Sequence, residues 1–219
     1  MKLLLTSNGL SNPSIANALF ALVGKPASEI SLAVIPTAMN VETGGKGWFI
    51  DDLNNFQKQQ FKSIDIVDIS ALPKNVWLPR LENADVLFFM GGNTSHLLHW
   101  MNKSGLADIL PELLQTKVYA GISAGAMVIN PTLALSSKNE KMYYAETFGY
   151  TNEQALGLVD FYIRPHLHSR HFPRVNKESL TQIAQEFPAK IYALDDMSAV
   201  TVVDGKIDVV SEGEFLVFN

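Results

Sequence analysis

Five short runs of this chain are rich in apolar residues, four of them almost without interruption, and helical spacing separates most of them. They are Leu3–Thr6, Ser31–Ile35, Ile64–Ile69, Asp85–Met90 and Lys117–Ile122. A strand with one wet face alternates apolar and polar residues, whereas a near-continuous apolar strand must be covered on both faces. Strands of that kind separated by helices imply a three-layer α/β fold: a mostly parallel sheet with helices on both sides. Such sheets bind their ligands beyond the carboxyl ends of the strands. The residues that follow each run are therefore the first place to look for chemistry.

The intervening segments carry helix signals. Asn12 is placed to cap a helix that has Pro13 at its first position, where a missing N–H costs nothing. Ile15, Ala18, Leu19 and Leu22 give that helix one apolar face. Residues 47–62 read as a helix with Phe49, Leu53, Phe56 and Phe61 inward; another starts near Thr94, and a third covers Leu106–Leu114. The last third of the chain changes character. Asp160–Ile163, Ile191–Leu194, Ala199–Val203 and Lys206–Val210 read as short strands, with Asp204-Gly205 as a hairpin turn, which predicts an antiparallel edge. No linker or repeat interrupts the 219 residues, so the expectation is one domain over 1–219.

The fifth run ends in Gly121-Ile122-Ser123-Ala124-Gly125-Ala126. A strand that breaks on Gly-x-Ser-x-Gly and continues as a helix is the pattern of a nucleophile elbow. The serine sits on a tight turn, and side chains two before and two after it would collide, so Gly121 and Gly125 are needed. The turn lifts the Ser123 hydroxyl to the positive end of the following helix. An acyl-transfer serine also needs oxyanion donors and a base. The backbone N–H of Ala124 is one natural donor, and Gly92, in the Gly91-Gly92-Asn93 turn after the neighbouring strand, offers a second.

Five histidines compete for the base: His96, His99, His166, His168 and His171. His96 and His99 fall on the helix after Gly92. His166 follows a strand and Pro165, where catalytic side chains collect. The spacing His166-x-His168-x-x-His171 could suggest a metal site, but no carboxylate signature accompanies it, and no metal is expected. Glu140, Glu146 and Asp160 are all available as a third, acidic member. Arg164, Arg170 and Arg174 flank the histidines and could hold a substrate carboxylate.

The net charge of −5 and the lack of a Lys/Arg cluster argue against nucleic acid or an anionic membrane as partner. There is no cysteine, so neither a disulfide framework nor a thiolate metal site exists, which suits the cytoplasm. The apolar start, Leu3-Leu4-Leu5, is too short for a signal core and reads as the first strand.

Taken together, Gly91-Gly92-Asn93-Thr94 after one strand, Gly-Ile-Ser123-Ala-Gly-Ala after the next and Arg-Pro-His166 after a third resemble the peptidase E (aspartyl dipeptidase) and cyanophycinase family of serine peptidases. The resemblance covers most of the chain, in the same order. It implies a flavodoxin-like fold similar to class I glutamine amidotransferases, with Ser123 as nucleophile, His166 as base, and Gly92 and Ala124 as oxyanion donors. The family's acid lies some fifteen residues past the serine, near Lys138 and Asn139, which makes Glu140 the nearest carboxylate. The resemblance further implies a short-peptide substrate, no cofactor, and a monomer or homodimer. The segment after His166 is compact, so preference for an N-terminal aspartate would fall to Arg170 or Arg174. The amidotransferases use a cysteine at the elbow, and its absence here excludes glutamine hydrolysis by that route. Two rivals remain: a small-molecule esterase or amidase, and a binding protein in which Ser123 and His166 lie too far apart to couple.

Overall fold

The structure is a computed structural model that describes residues 1–219 apart from the side chains of Glu140 and Glu186. Its strands are β1 (Lys2–Thr6), β2 (Ser31–Ile35), β3 (Ser63–Ile66), β4 (Val86–Phe89), β5 (Val118–Ile122), β6 (Tyr162–Arg164), β7 (Ile191–Leu194), β8 (Ser198–Val203), β9 (Lys206–Ser211) and β10 (Phe215–Phe218). The helices are α1 (Pro13–Val23), α2 (Gly47–Lys58), α3 (Lys74–Glu82), α4 (Thr94–Lys103), α5 (Leu106–Leu113), the single turn α6 (Ala124–Met127), α7 (Lys138–Phe148) and α8 (Lys177–Glu186).

A seven-stranded sheet has the order β3-β2-β4-β5-β1-β8-β9. Its first five strands are parallel, and β8 and β9 add the antiparallel edge. The apolar runs behave as their composition requires. Successive residues of one strand enter opposite cores: Leu3 and Leu5 one, Leu4 the other; Leu87 and Phe89 one, Val86 and Phe88 the other. Helices close both faces. The Asn12 side chain accepts the Ile15 N–H at 3.0 Å and so caps α1. Two residues with positive φ, Asp204 and Gly205, turn β8 into β9.

The remaining strands form a second sheet, β10-β7-β6. This departs from the expected antiparallel edge, because β6 and β7 leave the main sheet and pair parallel with each other. Other boundaries also differ. The helix expected over 47–62 stops at Lys58, where Gln60 takes a left-handed conformation (φ 57°), yet Phe61 still packs edge-on against Phe20. The third strand is shorter than its apolar run and sits at the sheet edge, with Ile64 and Ile66 exposed. Helices α3, α7 and α8 lie outside the segments that the sequence pattern singled out. Among the described residues no helix is long and apolar enough to cross a membrane.

Candidate active site

Five strand ends converge on one cleft of about 590 Å³. Ser7 follows β1, Gly91 and Gly92 follow β4, Ser123 follows β5, His166 follows β6 and Asp196 follows β7, and all of them line it. The main sheet contributes the serines and the glycines, and the small sheet contributes the histidine and the aspartate.

The elbow is built from backbone crowding. Ser123 has φ 50° and ψ −106°, a strained conformation for a residue with a side chain. A Cβ on Gly121 would lie 2.4 Å from the Gly125 carbonyl oxygen, and one on Gly125 would lie 2.1 Å from that of Phe89. Both distances are far inside van der Waals contact, so only glycine fits either place. The turn is held by Ser123 N–H donating to Thr6 O at 3.0 Å and by the Tyr119 hydroxyl donating to Gly125 O at 2.6 Å.

Ser123 Oγ lies 2.8 Å from His166 Nε2. On the other side of the ring, Nδ1 lies 2.9 Å from Asp196 Oδ1. Burial pushes the Asp196 carboxyl up, but hydrogen bonds from His166 and Ser7 outweigh it and hold the group below the usual carboxylate range. An ionised carboxylate only accepts, so Nδ1 carries the proton and Nε2 turns its lone pair to the serine hydroxyl. Ser7 ties the pair together: its hydroxyl donates to Asp196 Oδ1 at 2.7 Å and accepts the His166 backbone N–H at 2.9 Å. Phe172 stacks on the imidazole at 4.4 Å, nearly parallel to it, and fixes the ring plane.

The acid hydrogen-bonded to His166 is Asp196, which was not among the expected candidates. Glu140 lies in α7, and its side chain is outside the described residues. Glu146 and Asp160 are exposed, and neither lines the cleft. Asp196 takes the place because β6 and β7 run parallel, with Arg164 opposite Ala193, so both strands deliver their next residues to the same end. A sequence signal for it existed: Asp195-Asp196 directly follows the apolar Ile191–Leu194. Ser7 was also missed, although it stands directly after the first strand.

Gly92 and Ala124 are the two expected oxyanion donors. Among the described residues nothing accepts from the backbone N–H of Gly92 or Ala124. Gly92 has φ 131°, and a Cβ there would lie 2.4 Å from Ala38 O, so the turn needs glycine. Gly91 is packed beside the Ser123 side chain.

A model of peptidase family S51 matches residues 3–210. The chain belongs to peptidase family S51. Its relatives include an uncharacterized peptidase of Pasteurella multocida, 29% identical over 78% of this chain and 81% of that protein. Peptidase E of Haemophilus influenzae (strain PittGG) is 32% identical over 64% of this chain and 59% of its own length. The crystal structure of a candidate peptidase E protein from Listeria monocytogenes EGD-e has the same fold, with a TM-score of 0.78 and 24% identity over 97% of this chain and 98% of that one. The S51 membership makes this chain a peptidase, in line with the resemblance drawn from Gly91–Thr94, the elbow and Arg164–His166.

Several expected residues of this S51 chain lie elsewhere. Arg170 and Arg174 are exposed and do not line the cleft; Arg164 does. They sit on the turn after His166, and Arg170 Nε instead donates to the His171 ring at 3.3 Å. His171 lines the cleft, whereas His168 faces Glu214 at 3.7 Å. His96 and His99 meet the Tyr144 hydroxyl at 2.9 and 2.7 Å, away from the cleft, and burial lowers the pKa of His96 to about 4. Among the described residues no three His, Asp or Glu side chains are grouped to hold a metal ion.

Proposed function

We propose that this protein hydrolyses dipeptides or other short peptides by a serine mechanism, with Ser123 as nucleophile, His166 as base and Asp196 as the acid that orients it. The observation that carries the reading is the continuous chain from Ser123 Oγ through the two ring nitrogens of His166 to Asp196, at 2.8 and 2.9 Å. Ser123 Oγ attacks the scissile carbonyl while His166 Nε2 takes its proton. The negative charge that develops on the carbonyl oxygen falls to the unpaired N–H groups of Gly92 and Ala124. His166 then protonates the leaving amine, and the amine departs. Water, activated by the same nitrogen, attacks the acyl-enzyme and regenerates Ser123. Asp196 stays ionised throughout and stabilises the imidazolium formed in each half-reaction.

The cleft volume, about 590 Å³, suits a small peptide. The binding-protein reading requires an uncoupled Ser123 and His166, and it loses its ground at 2.8 Å. The test is a dipeptide panel assayed with wild type and Ser123→Ala. Turnover by the wild type, abolished in a variant that melts normally, supports the reading. Equal turnover by both removes Ser123 as nucleophile, and cleavage of esters alone redirects the reading to an esterase.

A further inference from the structure

One side chain of the cleft has no role in that chemistry. Asp52 of α2 is 5% exposed, and among the described residues it makes no hydrogen bond and no ion pair. Buried carboxylates are ordinarily paired, because an uncompensated buried charge is costly. Asp52 nevertheless belongs to the same cleft as Ser123, His166, Gly91 and Gly92. Its helix neighbour one turn earlier, Trp48, lines the cleft too and reaches Gly91, which touches Ser123.

The surroundings of the carboxylate are cut to leave it accessible from one side. A Cβ on Gly9 would lie 3.1 Å from Asp52 Oδ1 and 2.9 Å from Ile122 Cδ1, so a side chain at position 9 would close off the space between the carboxylate and the residue that precedes the nucleophile. Gly9 also has φ 64°, which favours glycine again. Charge is divided across the cleft. The acids Glu42 and Asp52 come from the segment after β2 and from α2, whereas Arg164 comes from β6, and the remaining acid of the cleft, Asp196, is taken up by His166 and Ser7. A free dipeptide carries an ammonium at one end and a carboxylate at the other, and this polarity gives it one orientation.

We propose that Asp52 is the counter-ion for the substrate's α-ammonium group, which makes the protein selective for peptides with a free N-terminus. The inference rests on the peptidase reading above for its substrate class. Ion pairing completes the unpartnered carboxylate, and the pair forms at a side chain that is itself buried, where it is worth more than on a surface. The upward push of burial on the Asp52 carboxyl, to about 7, is the cost that a bound ammonium relieves.

Calorimetry in the Ser123→Ala background separates binding from turnover. The probes are Ala-Leu, N-acetyl-Ala-Leu and N-acetyl-Lys-Leu, each titrated into Ser123→Ala and into the Ser123→Ala/Asp52→Asn double variant, with Asp52→Ala as a second substitution and thermal melts to confirm folding. Ala-Leu is expected to bind Ser123→Ala at least 10-fold more tightly than N-acetyl-Ala-Leu, and the difference is expected to collapse when Asp52 is changed. Equal losses for free and acetylated peptides, no loss, or no binding of Ala-Leu would overturn the assignment. Tight, Asp52-dependent binding of N-acetyl-Lys-Leu would overturn it in favour of a basic side chain. The wild-type panel is read in parallel: Asp52-dependent binding of Ala-Leu without any turnover would leave the ammonium site standing and bring down the peptidase reading.

Discussion

The two sheets contribute to the site in different ways. The main sheet supplies Ser123 and Gly92 from turns in which backbone crowding leaves no room for a side chain at Gly92, Gly121 or Gly125. The small sheet supplies His166 and Asp196 through the parallel pairing of β6 and β7, a tertiary arrangement with no local sequence rule behind it. The nucleophile half is therefore dictated by steric exclusion, and the base half by register. Ser7, at the end of β1, is the hydrogen-bonded tie between them, since its hydroxyl touches both Asp196 and the His166 backbone.

The largest expected effect strikes the main-sheet half. Ser123→Ala should lower kcat on the best dipeptide by about 10,000-fold or more, with an unchanged melting temperature. On the small-sheet side, Asp196→Asn should lower kcat by about 1,000-fold, because the amide favours the wrong imidazole tautomer. Glu140→Gln should stay within about 2-fold of wild type in the same assay. A large loss in Glu140→Gln with little in Asp196→Asn would reverse the assignment of the acid.

These two halves were not equally legible in the sequence. The alternation of apolar runs and helices was enough for the parallel sheet, and the elbow was readable because Gly121, Ser123 and Gly125 act over five residues. His166 could be found because it follows an apolar strand. Asp196 obeys the same rule, but its partnership with a histidine 30 residues away depends on which strands pair. The choice of Glu140 followed the family spacing, which says nothing about register. Asp52 had a visible signal as well: it falls with Phe49 and Phe56 on the buried face of α2, an odd place for an acid. Helix α3 was hidden by Pro79 in its interior and α7 by weak apolar patterning, whereas α8 carried a readable signal in its Asn176 cap and in Leu180, Ile183 and Ala184 on one face.

Two further changes sharpen the contrast through stability. Gly125→Ala should cost about 3 kcal/mol in denaturant unfolding, since the new methyl meets the Phe89 carbonyl and backbone has no rotamer with which to retreat. Asp52→Asn should do the opposite. A carboxyl raised from 3.8 to about 7 binds more protons in the folded state across that interval, so wild-type stability falls as pH rises through it. The variant should therefore be more stable than wild type by on the order of 2 kcal/mol at pH 8, with the gain fading towards pH 4. Thermal melts across that range read the difference, and a pH-independent difference would contradict a carboxyl perturbed by burial. Ser7→Ala should have the smallest effect, about a 10-fold loss in kcat, because Asp196 keeps its bond to His166 when one of its two partners is removed.

The most direct test of the central claim, that the small sheet activates the main-sheet serine, is the rate at which a fluorophosphonate modifies the protein, followed by intact mass and located by peptide mapping. The account predicts a single adduct on Ser123, forming about 100-fold more slowly in Asp196→Asn than in wild type. An adduct on another residue, or equal rates in wild type and Asp196→Asn, would contradict it.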